Sequence, residues 1–145
     1  MDQNQINNFF DRYAARFTNA ITIGEVDVER TAEAFANCFI EASPVGITCG
    51  KNKRKFRAAI PKGYEFYKSI GMTSMVILNK EITLLDNLHA MVKIHWKSSF
   101  IKKDNSPVDI EFAVIYFLQE QEGEYKIFAY ITGDEQAALK EHGLV

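Results

Sequence analysis

Between His89 and Ile101 the apolar residues Ala90, Val92, Ile94, Trp96 and Phe100 fall on one side, and His89, Met91, Lys93, His95, Lys97 and Ser99 on the other. Period-two alternation over so long a run demands a half-buried β-strand, because a helix would scatter the same apolar groups around its circumference. A strand or hairpin alone is marginal in water, so neighbouring segments must complete a sheet. They are of the right kind. Met72 to Leu85 is rich in Thr, Val and Ile, and Asp86-Asn87 is a turn signal. Lys103-Asp104-Asn105-Ser106-Pro107 is a second turn, leading into Val108 to Leu118. That last stretch is apolar on both faces in its middle, which predicts a central strand covered on both sides. Glu122-Gly123 turns the chain into Tyr125 to Thr132, Gly133-Asp134 ends the sheet, and Glu135 to His142 predicts a short tail helix.

The first half reads differently. Ile6, Phe9, Phe10, Tyr13, Ala14 and Phe17 recur at three-and-four spacing, with Asp11, Arg12 and Arg16 on the opposite side. This is an amphipathic helix, broken at Thr22 and Gly24. Asp27 is the expected N-cap of a second helix running toward Phe35, with Ala32, Phe35 and Ala36 on its buried stripe. Asn37 to Cys49 turns β-like and is interrupted at Ser43-Pro44. From Lys51 to Ile70 the pattern predicts a helix broken by Pro61 and Gly63 and stopped at Gly71. Helices first and strands afterwards give α+β, not alternating α/β. At 145 residues the expectation is one domain spanning 1–145.

Composition excludes several function classes. The net charge is −2, with 17 basic against 19 acidic residues, so no basic excess exists for nucleic acid. No window nears the roughly 20 apolar residues of a membrane span, and the polar start Met1-Asp2-Gln3-Asn4-Gln5 does not resemble a secretory leader. A cytoplasmic location is expected, with Cys38 and Cys49 as reduced thiols. His89 and His95 lie roughly 20 Å apart on one strand face, so neither a shared metal nor a cofactor is expected. Lys51-Asn52-Lys53-Arg54-Lys55-Phe56-Arg57 holds five cations and reads as a solvated helix start.

In this order of elements the chain resembles the nuclear transport factor 2-like superfamily, in particular its SnoaL-like and ketosteroid-isomerase-like small domains. The resemblance rests on Asp11-Arg12-Tyr13 in the first helix, Phe35 before the first strand, Ser43-Pro44-Val45-Gly46 after it, and the closing Tyr130-Ile131-Thr132-Gly133-Asp134. It implies a cone-shaped, curved antiparallel sheet of the cystatin-like α+β roll type, roofed by the N-terminal helices, and a homodimer formed through the sheet. Ketosteroid isomerase uses an aspartate base together with a tyrosine and a neutral acid that hold an oxyanion. Tyr13 matches that tyrosine. Ser43 stands where the base precedes Pro-Val-Gly, and a serine hydroxyl is no carboxylate. The second acid is missing too, since Phe112, Ala113, Val114, Ile115 and Tyr116 fill the middle of the corresponding strand. Isomerase chemistry by that route is not expected.

Candidate pocket residues are Tyr13, Phe17, Phe39, Glu41, Ser43, Trp96 and Tyr116. Tyrosine and tryptophan combine an apolar body with a polar handle that either the core or a ligand can use. By alternation Glu41 shares a face with Phe39 and Ser43, where it serves as an internal acid or remains a solvated edge charge. The expected function is binding of a small apolar molecule. The alternatives are an enzyme using Glu41 and Tyr13, and an interaction module acting through the outer face of the sheet.

Overall fold

A computed structural model describes residues 1–145. The N-terminal helix α1 (Gln3–Thr22) starts at Asp2, whose carboxylate accepts the Asn4 N–H at 2.8 Å. Helix α2 (Val28–Glu33) is capped in the same way by Asp27, which accepts the Arg30 N–H at 3.1 Å. Strands β1 (Phe35–Ser43) and β2 (Gly46–Lys51) form a hairpin. Helix α3 (Arg54–Ser69) then crosses back to the meander of β3 (Met72–Leu84), β4 (His89–Ile101), β5 (Pro107–Gln121) and β6 (Glu124–Ile131), and α4 (Glu135–Glu141) follows. The result is one curved, unclosed six-stranded sheet in the order β2-β1-β6-β5-β4-β3 with helices on one side, an α+β fold. No helix is long and apolar enough to cross a membrane.

Several expectations need correction. The second helix stops at Glu33, so Phe35 and Ala36, buried as expected, belong to a strand. Pairing decides it: β1 lies against β6, and Ile127 N–H donates to the Ala34 carbonyl at 2.8 Å. That pairing is parallel, which makes the sheet mixed rather than wholly antiparallel. The helix expected to break at Pro61 and Gly63 runs through both as α3. Proline removes one helical N–H, yet Tyr64 and Tyr67 of the following turn lie against Phe17, with ring centroids 5.0 and 5.8 Å away. Tertiary contact offsets the local defect.

The core lies between the helices and the concave face of the sheet. Ala90, Val92, Ile94 and Trp96 of β4 are each fully buried there. Met91, Lys93, His95 and Lys97, on the other face, stay half-exposed. The central strand β5 departs from its expected double cover in the same way: Val114, Tyr116 and Leu118 are buried, while Ala113, Ile115 and Phe117 face outward with no layer over them.

Gly71 makes the α3–β3 corner possible. Its φ is +91°, and a Cβ there would fall 2.1 Å from the Ile101 carbonyl oxygen. Replacing it with alanine combines left-handed strain with a backbone clash. Gly71→Ala is expected to lower stability by about 3 kcal/mol, read from the urea midpoint at unchanged slope. A loss under about 1 kcal/mol contradicts this account of the corner.

Candidate functional site

The apolar stripe of α1 carries Tyr13 onto the concave face. Its ring centroid lies 6.3 Å from Trp96 and 6.2 Å from Tyr116. Tyr130 on β6 is opposite Tyr116 in register, with ring centroids 6.2 Å apart. Tyr67 enters from α3 and hydrogen-bonds the Glu135 carboxylate at the start of α4. Four phenols from four elements therefore lie within reach of one another, and two of them, Tyr13 and Tyr116, adjoin the only tryptophan.

Burial dominates the chemistry of these groups. The hydroxyls of Tyr13 and Tyr116 are held above the ordinary tyrosine range first by desolvation and then by neighbouring tyrosines. Tyr130 is raised by burial and next by the Glu41 carboxylate, and Tyr67 by burial and next by Glu135. At neutral pH all four are neutral hydrogen-bond donors. Trp96 is fully buried, and its Nε1–H has no partner of hydrogen-bonding geometry, although the Tyr116 hydroxyl lies close enough to feel that donor.

Of the seven sequence candidates, Tyr13, Trp96 and Tyr116 come together at the centre. Phe39 forms a wall, with its ring 6.4 Å from that of Tyr130 and tight over Gly50. Glu41 is exposed but opposite Tyr130 in register, so it stands at the rim. Phe17 sits one turn along α1, among Tyr64 and Tyr67. Ser43 is apart from the cluster: its Oγ accepts the Val45 N–H at 3.2 Å and closes the β1–β2 turn. Tyr67, Tyr130 and Glu135 escape sequence reading, because only the fold brings α3, β6 and α4 to the same place.

A cleft of about 230 Å³ opens beside the cluster, lined by Ser98, Ile110, Phe112, Asp134, Glu135 and Leu139 among others. Glu135 joins the two, since it both lines the cleft and binds Tyr67. The histidines take no part. His95 Nε2 is 2.6 Å from Glu81 and His89 Nδ1 is 2.8 Å from Asp86. No group of three His, Cys, Asp or Glu side chains is arranged to hold a metal ion.

The tyrosines give a pH signature. Five of the six, Tyr64 included, are harder to ionise folded than in the unfolded chain, where phenols titrate near pH 10. Their contribution to stability is whole below about pH 10 and is lost above it, because only the unfolded chain then releases those protons. Tyrosinate absorbance is expected to rise cooperatively with loss of the fold. Independent titration of most tyrosines near pH 10 in a folded protein refutes the buried cluster.

The architecture has known counterparts. A protein from Shewanella oneidensis, NTF-2 like and of unknown function, is similar at a TM-score of 0.66 and 18% identity, over 92% of this chain and 100% of its own. An NTF2-like protein with a cystatin-like fold from Novosphingobium aromaticivorans gives 0.69 at 14% identity, over 99% and 88%. A putative scytalone dehydratase from the same organism gives 0.65 at 14%, over 89% and 80%. Identities this low speak for the fold alone. No curated protein matches the sequence. The family model described as NTF2-like protein (DUF6841) matches residues 2–135, and the chain belongs to that NTF2-like family.

Proposed function

We propose that the protein binds a small, largely apolar molecule on the concave face, in the SnoaL-like manner, with entry through the cleft beside Glu135. The observation that carries this reading is the packing of Tyr13 and Tyr116 against fully buried Trp96, whose Nε1–H reaches no partner in full hydrogen-bonding geometry and has only the nearby Tyr116 hydroxyl to lean on. A buried donor held in poor geometry forfeits part of its hydrogen bond, which an oxygen of a bound ligand would restore. The Tyr13 and Tyr116 rings pack together beside this indole, and both hydroxyls are neutral donors. Aromatic walls with a few convergent polar groups suit a fused-ring ketone or phenol. Glu41 and Glu135 at the rim disfavour anions there. The likeness to a putative scytalone dehydratase is one of fold and assigns no reaction.

Trp96 is the sole tryptophan and reports on its own site. Titration with 1-tetralone or 2-naphthol is expected to change its fluorescence saturably. Tyr13→Phe and Tyr116→Phe should each weaken binding about 5–10-fold, the worth of one hydrogen bond. An unchanged spectrum with both probes at millimolar concentration, or equal affinity in both variants, overturns the reading.

The uncovered face of β5 and β6 favours a second reading, self-association through the sheet. Ala113, Ile115, Phe117, Phe128 and Ala129 form a half-exposed apolar band there, with the Phe117 and Phe128 rings 6.1 Å apart. A two-fold contact would bury it against itself. Light scattering is expected to give twice the mass of one chain, and Phe117→Lys to halve it. A wild-type monomer at 100 μM or more excludes this arrangement.

A further inference from the structure

A second hollow, of about 360 Å³, lies where α1, α2 and the β5–β6 turn meet, and it is built from charge. Asn8, Arg12 and Arg16 of α1, Arg30 of α2 and Lys126 of β6 line it, with Glu33 and Glu124 the only acids in its wall. Lys126 is already engaged: its Nζ donates to the Glu33 carbonyl and lies 3.5 Å from Glu124. None of the three arginines forms an ion pair, whereas Arg57 elsewhere does. Arg12 and Arg16 stand one helical turn apart, where like charges repel. Arg16 Nε is buried and has no hydrogen-bond partner. Three guanidinium groups without an ion-pair contact line one hollow, one of them with a sealed N–H; Asp27 acts on Arg16 only from beyond contact distance, so the donors lack a bound acceptor. Guanidinium forks match the oxygens of phosphate and carboxylate, which accept two parallel bonds at once.

We propose that this hollow binds a multiply charged oxyanion group of a small molecule, a phosphate or clustered carboxylates, held by Arg12, Arg16 and Arg30. The site is distinct from the phenol cluster and holds or fails independently of it.

Thermal unfolding of the full chain tests it, with pyrophosphate, citrate or sodium chloride at matched ionic strength. Pyrophosphate or citrate is expected to raise the midpoint by about 3 °C or more beyond chloride, saturating in the millimolar range. The stronger of the two identifies the group preferred. Arg12 and Arg30 are both exposed, so the double variant Arg12→Gln/Arg30→Gln should fold normally and lose the shift, while Lys62→Gln keeps it. A rise no greater than that of chloride, or an undiminished shift in the double variant, overturns the proposal.

Discussion

The aromatic face of α1 seated in the curve of the sheet is the contact on which everything else rests. Phe10 is fully buried, with its ring 5.0 Å from Tyr116, and Phe9 meets Tyr125 edge-on at 6.2 Å. Each such side chain contributes about 1.5–3 kcal/mol by leaving water, and the ring geometry adds to that. A curved sheet has a concave face that its own strands cannot fill, so a helix must enter it. Because α1 does so with a tyrosine at its middle, a hydroxyl is carried into the apolar interior together with the rings.

That consequence shapes the chemistry on both flanks of the helix. Toward the sheet, α1 presents Tyr13 to other phenols and to an indole N–H, all neutral and all donors. Toward α2 it presents Arg12 and Arg16. Arg16 lies close enough to Tyr13 and Tyr64 for its positive charge to be felt by them, so the two regions adjoin through one turn of helix. Carboxylates occur at the rim of the first region, and unpaired cations dominate the second. The fold thus sorts side-chain chemistry by position: neutral phenols and an indole on the concave face, guanidinium groups at the α1–α2 end.

The basic run from Lys51 to Arg57 is a solvated helix start at Lys51, Lys53, Arg54 and Lys55, which are exposed ahead of and in the first turn of α3, but its last cation does more. In the structure Arg57 donates to Asn52 Oδ1 at 2.9 Å and pairs with Glu29 at 3.1 Å, while Asn52 Nδ2 bonds the Ala32 and Phe35 carbonyls. One arginine of the run clasps α2, β1 and α3 together. The guanidinium groups without ion pairs around the second hollow, Arg12, Arg16 and Arg30, are scattered through two helices and form no run at all.

Local pattern determined the strands of the meander, the apolar face of β4, the stripe of α1, the N-cap at Asp27 and the helix stop at Gly71, because each depends on residues a few positions apart. It also placed Tyr13 and Trp96 on buried faces, since alternation and helical spacing are enough to say which way a side chain turns. Only the tertiary structure decided that Phe35 begins a strand, that α3 survives Pro61, that β1 joins β6 in parallel and that one face of β5 is left bare. Those outcomes depend on pairings across the whole chain, and no local window contains both partners. The same holds for the site: Tyr67, Tyr130 and Glu135 become neighbours of Tyr13 through closure of the fold, a distance that sequence separation does not encode.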